Sequence, residues 1–336
     1  MTLDIERKAA IDRFLTAAGW PNATPAPLAA DASFRRYFRL RDDRHSMVLM
    51  DAPPPQEDVR RYVHVAGLLR GYGLSAPKIY AEDPNLGLLL IEDFGDDTYA
   101  RLLSAGRDET TLYTLAVDTL IALQRAVDVL PAVPAYDEAT LLRETALLVE
   151  WYAPEIGAAL SESKREEYLA LWREVLPLAE RPGPTLVMRD FHVDNLMLLP
   201  CRAGARSCGL LDFQDALIGP ASYDLVSLLE DARRDVPPAL RAAMTERYLA
   251  AFPEIDRAVF ARSAAILAAQ RNAKIIGLFV RLWRRDGKPQ YLCHIPRVWR
   301  LLEADLREPV LEVLARWFDR HLPPALRQGA NLERAA

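Results

Sequence analysis

Three oxygen-bearing side chains stand at a spacing that suits phosphoryl transfer. Asp190 follows the apolar run 186–188, Asn195 stands five residues later, and Asp212 follows a second apolar run. A carboxylate can take the proton of an acceptor hydroxyl, whereas an amide oxygen and another carboxylate suit Mg²⁺ beside phosphates. Asp190 is therefore a candidate base, and Asn195 and Asp212 are candidate metal ligands.

The order of the intervening segments makes this pattern more specific than its single residues. Asp and Asn in loops are commonly turn formers or helix caps, and that reading remains open for each residue alone. Here the runs 196–199 and 209–211 predict a hairpin. Such a hairpin returns Asp212 to the end of the loop that Asn195 closes.

Composition places the chain among ordinary globular proteins. It has 336 residues, 26% of them charged, and a formal net charge of -5. This acidic balance argues against nucleic-acid binding as the main function. No apolar run is long enough to span a bilayer, and the first residues lack the core of a signal peptide. The three cysteines lack metal-site spacing and are expected to be reduced thiols; they are Cys201, Cys208 and Cys293.

The first part of the chain reads as a small sheet with one inserted helix. Alternation of apolar and polar residues is clearest over 34–41. A helix is predicted over 3–18 and another over 56–72, the second one closed by Gly71 and Gly73. The predicted strands are 26–30, 34–41, 46–51, 78–81 and 87–92.

After Gly95 the sequence turns to long helices. A lobe boundary is expected at 92/93, which gives an N-terminal nucleotide-binding lobe over 1–92 and a C-terminal catalytic lobe over 93–336. The interruption at 185–214 carries the candidate site. The predicted helices are 98–104, 109–128, 138–153, 163–178, 223–232, 237–250, 256–285 and 291–321.

The motifs of this chain resemble those of the aminoglycoside phosphotransferase and choline kinase-like family. That family carries H-G-D-x-H-x-x-N followed by I-D-F/W, and this chain has M-R-D-F-H-V-D-N at 188–195 and L-D-F at 211–213. The likeness implies an α+β, bilobal protein-kinase-like fold with a small antiparallel-sheet lobe and a larger, mainly helical lobe. It implies ATP and Mg²⁺ as cofactors, with Asp190 as base, Asn195 and Asp212 as magnesium ligands, and Asp224 as a brace of the catalytic loop.

The basic and imidazole groups near the motif leave alternatives open. His192 can carry a proton, but a loop histidine at such a place more often orients the loop. Met50 stands where a kinase lysine would contact the phosphates. Arg35, Arg36 or Arg39 must then supply the charge, and period two places Arg36 on the other face.

Nucleotide contacts are expected in two further segments. The turn 30–36 lacks a glycine-rich motif, yet the backbone N–H groups of Ser33, Phe34 and Arg35 can cradle phosphates. The run 88–95 resembles an adenine-binding hinge, so the Glu92 carbonyl and the Phe94 amide are predicted adenine contacts.

The acceptor is expected to be neutral or anionic, because the region 270–300 is rich in basic groups. Arg271 and Asn272 are the predicted acceptor contacts. The segments 32–39, 50–54 and 188–195 also resemble the bacterial anomeric sugar kinases, which phosphorylate N-acetylmuramate and N-acetylglucosamine during cell-wall recycling. This implies a cytoplasmic enzyme with a small amino-sugar substrate, without nucleic-acid or membrane partners, whose product passes to a nucleotidyltransferase.

Two other functions remain possible at this stage. One is a kinase for choline, ethanolamine, homoserine or an aminoglycoside, for which the basic acceptor region is unfavourable. The other is a nucleotide-binding scaffold, which Met50 and the missing glycine-rich turn favour. The presence of Asp190, Asn195 and Asp212 together argues against the scaffold.

Overall fold

A computed structural model describes residues 5–28, 35–42, 45–158, 160–179, 183–327 and 332. The chain forms two compact units, one within Met1–Thr119 and Asp194–Asp215 and the other within Leu120–Val193 and Ala216–Ala336. The first unit thus groups 93–119 and 194–215 with the sheet. The lobe boundary at 92/93 stays a prediction.

A five-stranded antiparallel sheet forms the centre of the first unit. Its strand order is β1-β2-β3-β5-β4, and β2 pairs with β3 so that Tyr37 lies opposite Met50 and Arg36 opposite Asp51. The predicted α+β class, with an antiparallel sheet and a mainly helical remainder, is confirmed. The strands are β1 Ala26–Pro27, β2 Arg36–Arg41, β3 Ser46–Asp51, β4 Ile79–Asp83 and β5 Leu88–Glu92.

Helix α1 (Ile5–Ala17) covers one face of this sheet, whose inner strand β5 is apolar on both faces. The helix packs Ile11 and Phe14 against Leu49 and Leu90 of the sheet. The inserted helix α2 (Val59–Gly71) begins at Asp58, whose side chain accepts the Arg60 N–H. Such a cap satisfies a backbone donor that the first turn leaves open.

A hairpin completes the first unit and carries the motif. Strand β7 (Leu196–Leu198) pairs with β8 (Cys208–Leu210), as predicted. The Leu210 N–H donates to the Ser75 carbonyl at 2.8 Å and attaches the hairpin to the segment after α2. Helix α3 (Tyr99–Ser104) also belongs to this unit, and α4 (Glu109–Ala126) follows it along the chain.

The second unit is built around one long helix. The Asp256 carboxylate caps its start by accepting the N–H groups of Ala258 and Val259, and Gly287 ends it in the left-handed conformation. This helix is α10 (Arg257–Asp286), and the others are α5 Glu138–Leu147, α6 Ala153–Glu155, α7 Glu162–Val175, α8 Tyr223–Leu229, α9 Pro238–Ala250, α11 Ile295–Asp305 and α12 Glu312–His321. A π-helical turn fills Leu148–Tyr152, and 3₁₀ turns fill Leu176–Ala179, Val193–Asn195, Gly204–Ser207, Pro289–His294, Pro309–Leu311 and Pro324–Leu326.

A close helix contact requires the absence of a side chain at Gly277. A Cβ there would lie 2.1 Å from the Leu147 carbonyl carbon, beside the π-helical turn.

The two-stranded pair β6 (Pro184–Val187) and β9 (Leu217–Pro220) lies in the same unit, with Leu186 opposite Ile218. Strand β6 leads directly into the candidate catalytic loop.

The prediction of one helix over 291–321 is wrong. The segment is divided into α11 and α12 by the 3₁₀ turn at Pro309–Leu311. Pro309 has no N–H to donate and clashes with a preceding helical turn, which explains the break.

Within the ranges described, no helix combines the length and apolarity of a bilayer span. The three cysteines, one of them buried, form no disulfide.

Candidate active site

In the first unit the hairpin brings the two candidate metal ligands together. The Leu211 N–H donates to the Asn195 carbonyl at 2.9 Å, so Asp212 directly follows the residue paired with Asn195. Both side chains are half-buried. The Phe213 ring packs on Tyr62 of α2 with their centroids 4.8 Å apart, which fixes the segment that carries Asp212.

The Asp212 carboxylate is already held by cationic and amide groups. Arg35 Nη2 donates to Asp212 Oδ1 at 2.8 Å, and Gln214 Nε2 donates to the same oxygen at 2.9 Å. Arg35 Nε also lies 3.9 Å from Glu57 Oε2. The Asp212 backbone has φ +54°, a left-handed conformation that is uncommon without glycine. The segment is therefore stabilised in a conformation that its own backbone disfavours.

The structure assigns a partner to each of the three arginines of the second strand segment. Arg36 Nη2 lies 2.6 Å from Asp51 Oδ2, on the face away from Met50. Arg39 pairs with Asp93 at 2.7 Å and with Asp96 at 2.7 Å. Arg35, whose side chain is only 8% exposed, is the one that contacts a candidate metal ligand.

The predicted nucleotide-binding residues are described only in part. Ser33 and Phe34 lie outside the described residues. The Glu92 carboxylate pairs with Arg202, and its Oε2 accepts the Lys78 N–H at 3.2 Å. Among the described residues, the Phe94 N–H makes no hydrogen bond.

In the second unit a buried carboxylate holds the loop of the candidate base. Asp224 of α8 accepts the Met188 N–H at 2.7 Å and the Arg189 N–H at 2.9 Å. Ser227 Oγ donates to the Arg189 carbonyl at 3.2 Å. Arg189 has φ +70°, so these three hydrogen bonds hold another left-handed residue directly before Asp190.

Burial governs the protonation of that brace. It raises the pKa of the Asp224 carboxyl to about 7, although the two amide donors favour the charged form. Asp190 itself is half-buried, and its N–H donates to the Met188 carbonyl at 2.9 Å. The loop is thus short and closed on itself, which limits the positions that the Asp190 carboxylate can reach.

An ion network lies beneath this loop, and nothing in the sequence marked it. Glu144 of α5 pairs with Arg189 and, at 2.9 Å, with Lys274 Nζ of α10. Burial disfavours the Glu144 charge, but the two cations outweigh it and lower the pKa of the carboxyl to about 2. Tyr136 Oη donates to Glu144, and Gln270 Nε2 does so at 3.0 Å. Glu144 comes from a separate helix, so no local motif could have identified it.

The imidazole of His192 is enclosed and neutral. Burial, with help from the Arg233 and Arg271 charges, lowers its pKa to about 3. A neutral, enclosed imidazole suits the orienting role that the sequence favours over proton transfer.

Arg271 and Asn272 are buried on α10. Arg271 Nη1 donates to the Glu230 carbonyl at 3.1 Å. Asn272 Nδ2 donates to Glu230 Oε2 and to Asp305 Oδ2, each at 2.9 Å. Their observed bonds hold Glu230 in place, and their contact with an acceptor stays a prediction.

The donor sets fit the chemistry that the motif predicts. Asn195 and Asp212 offer hard oxygen ligands, and Mg²⁺ is commonly held by one or two protein ligands together with substrate phosphates. Asp190 offers a carboxylate on a braced loop, as a base for a hydroxyl proton requires. The candidate base lies in the second unit, and the two candidate metal ligands lie in the first.

The positive φ at Arg189 generates a stability prediction. Arg189→Gly and Arg189→Ala both remove the ion pair with Glu144, but only alanine keeps the left-handed strain. We expect the glycine variant to have the higher free energy of unfolding, by about 1 kcal/mol. Urea denaturation of the two variants measures the difference. An alanine variant as stable as the glycine variant would show that the backbone is not strained.

Comparison with known proteins identifies relatives along nearly the whole chain. A protein of Caulobacter vibrioides is 39% identical over 98% of this chain and 100% of its own length, and one of Pseudomonas aeruginosa is 41% identical over 96% and 95%. Both are named N-acetylmuramate/N-acetylglucosamine kinase.

Solved structures share the fold at low identity. A choline kinase from Streptococcus pneumoniae superposes with a TM-score of 0.62 at 12% identity, over 90% of this chain and 99% of that one. An aminoglycoside 2'-phosphotransferase in complex with GDP gives a TM-score of 0.60 at 18% identity, over 89% and 98%. The profile of the phosphotransferase enzyme family matches residues 24–261, which is more than half of the sequence, and the chain belongs to that family.

Proposed function

We propose that this chain is an ATP- and magnesium-dependent kinase for the anomeric hydroxyl of N-acetylmuramate and N-acetylglucosamine. Its product would be the sugar 1-phosphate. The observation that carries the proposal is the likeness, over almost the full length, to two relatives that are both named as kinases of these sugars. The family match and the basic character of 270–300 support the same substrate class.

Asp190 would accept the proton of the anomeric hydroxyl as that oxygen attacks the γ-phosphorus. The Asp224 brace and the closed loop support this role, because they limit the positions of the Asp190 carboxylate. A base that is held in place removes part of the orientational cost of the reaction. His192 would support the loop as a neutral residue and carry no proton.

Asn195 and Asp212 would hold magnesium, which supplies neutralisation of the phosphate charge when it is bound. Arg35 would take the place of the missing kinase lysine. Its support is the 2.8 Å contact with Asp212 and the nearby Glu57, since the lysine of a kinase likewise pairs with a glutamate beside the metal-binding aspartate.

The Glu92 carbonyl and the Phe94 N–H are our proposed adenine contacts. The unused N–H of Phe94 supports this assignment among the described residues. The backbone of Ser33 and Phe34 would approach the phosphates. Because the reaction consumes ATP, we propose the cytoplasm as its location, with a nucleotidyltransferase consuming the product.

The direct test is an assay of acceptor-dependent ADP release with magnesium and ATP. The acceptors would be N-acetylmuramate, N-acetylglucosamine, glucose, choline and kanamycin. We expect release with the two N-acetylated sugars. Release with choline or kanamycin alone would leave the family intact and overturn the proposed acceptor, whereas ATP binding without release from any acceptor would favour a scaffold.

The proposed roles of Asp190 and Asp212 predict that their replacement affects different steps, namely phosphoryl transfer for Asp190 and nucleotide binding for Asp212. Asp190→Asn should lower kcat by about 100- to 10,000-fold and leave the Kd for ATP unchanged, because the base acts only in the transfer step. Asp212→Ala should instead weaken magnesium-dependent nucleotide binding. Steady-state kinetics and calorimetry measure the two effects. Substantial turnover by the Asp190→Asn variant would remove that residue from the base role.

The proposed role of Arg35 predicts that its replacement raises the KM for ATP more than the replacement of Arg36 does. Arg35→Ala should raise the KM for ATP by about 10- to 100-fold, because a charge-assisted contact to phosphate is lost, and Arg35→Lys should restore part of it. Arg36→Ala is the matched control, since Arg36 pairs with Asp51, which Arg7 also contacts. Equal KM values in the two alanine variants would contradict the assignment.

A further inference from the structure

A second pocket of the first unit is lined by residues from the end of α2, the start of β4, the end of β5 and the connection between β7 and β8. Its volume is about 420 Å³, and small-molecule sites usually measure about 300–1,000 Å³. Neither Asn195 nor Asp212 lines it, so it is distinct from the candidate magnesium site. Among the residues that the structure describes, its charged lining consists of Arg70, Lys78, Glu92, Arg202 and Arg206.

Positive charge accumulates at this pocket, although the chain as a whole has a formal net charge of -5. Within the described ranges, Arg70, Lys78 and Arg206 pair with no carboxylate. Arg70 Nη1 donates to the Ala76 carbonyl at 3.2 Å, and Lys78 Nζ lies 4.9 Å from the centroid of the Tyr80 ring. Arg206 is exposed. Cations that line one pocket repel each other, so an anion between them is favoured.

The remaining cation, Arg202, has a carboxylate partner. It forms an ion pair with Glu92, and its guanidinium carbon lies 5.1 Å from the centroid of the Phe94 ring. Within the described lining, this single carboxylate stands against four cations, which leaves three positive charges in excess. An anion in the pocket would therefore compete with Glu92 for Arg202.

Backbone hydrogen bonds fix the segments that carry these charges. Ser75 Oγ donates to the Arg206 carbonyl at 2.7 Å, and the Leu210 N–H donates to the Ser75 carbonyl at 2.8 Å. On the other side of the pocket lining, the Glu92 N–H donates to the Lys78 carbonyl at 2.8 Å. The cations are thus mounted on segments that are tied to one another, which lowers the entropy that a bound ligand must cost.

We propose that this pocket binds the phosphate group of a small phosphorylated molecule. A phosphomonoester carries a charge of about -1.5 to -2 at neutral pH, which matches the excess of cations in the pocket. Three of the four cations are arginines, and the guanidinium fork binds phosphate oxygens bidentately. The neutral part of the ligand would lie towards solvent, because the charged side chains occupy the lining.

Calorimetry with the double variant Lys78→Ala/Arg206→Ala tests the proposal. Glucose 6-phosphate and inorganic phosphate are the two probes, in a buffer of low ionic strength, because salt screens exposed charges. We expect the double variant to raise the Kd of both probes by at least about 10-fold, since it removes two charge-assisted contacts. The matched control is Lys8→Ala/Arg107→Ala, which removes the same charges at exposed positions of the same unit and should leave both Kd values unchanged. Equal wild-type Kd values for the two probes would identify the phosphate group alone as the ligand, and a lower value for glucose 6-phosphate would add a contact with its sugar.

Glu92→Gln gives a second test with the opposite sign. It removes the negative charge that competes for Arg202, so the Kd of both probes should fall by about 3- to 10-fold. Thermal unfolding of each variant without ligand verifies that the protein is folded. Weaker binding by the Glu92→Gln variant overturns the proposal, as does an absence of binding by the wild type.

The kinase site is separated from this pocket by the comparison of the two double variants. Phosphate binding that both of them retain with the wild-type Kd takes place at another site and overturns the proposal. The titrations contain neither nucleotide nor acceptor. Loss of the probes by the Lys78→Ala/Arg206→Ala variant would therefore support the pocket even if the wild-type protein phosphorylated no sugar.

Discussion

The brace from Asp224 to the backbone of Met188 and Arg189 is the constraint on which the catalytic loop depends. Two amide donors on one buried carboxylate turn the chain sharply at the end of β6, and they do so at a residue with φ +70°. Left-handed residues other than glycine are disfavoured by about 1 kcal/mol or more, so the turn needs external support. The support comes from Asp224 of α8, so the position of Asp190 depends on the packing of that helix.

The charges around this brace select one conformation of the loop more than they raise the free energy of unfolding. Glu144 is shared by Arg189 and Lys274, and all three are largely buried. Buried ion pairs gain little net stability, since desolvation offsets their attraction, but removing one partner is costly at about 3–5 kcal/mol. The network therefore admits one arrangement of the loop and penalises others. Arg35 and Asp212 in the first unit follow the same logic at a second left-handed residue.

How much could be predicted from sequence differs between the local and the distant parts of the site. The sheet follows from the alternation of apolar and polar residues, and the hairpin follows from two short apolar runs. The motif marked Asp190, Asn195, Asp212 and Asp224 as candidate site residues. Glu144 and Lys274 could not be found in this way, because their pairing depends on contacts between distant segments. The choice among Arg35, Arg36 and Arg39 needed side-chain partners, since period two separates faces but does not distinguish Arg35 from Arg39. The periodicity of 291–321 does not reveal the division into two helices, because Pro309 interrupts a pattern that is otherwise continuous.

The site of phosphorylation on the sugar tests the account most directly. The protein would be incubated with magnesium, ATP and N-acetylglucosamine labelled with ¹³C at the anomeric carbon, and the product examined by phosphorus NMR. We predict a new phosphomonoester resonance that is split by coupling to the labelled carbon, and we predict that this resonance is absent with the Asp190→Asn variant. A phosphomonoester without that splitting would place the phosphate on another hydroxyl and contradict the anomeric assignment.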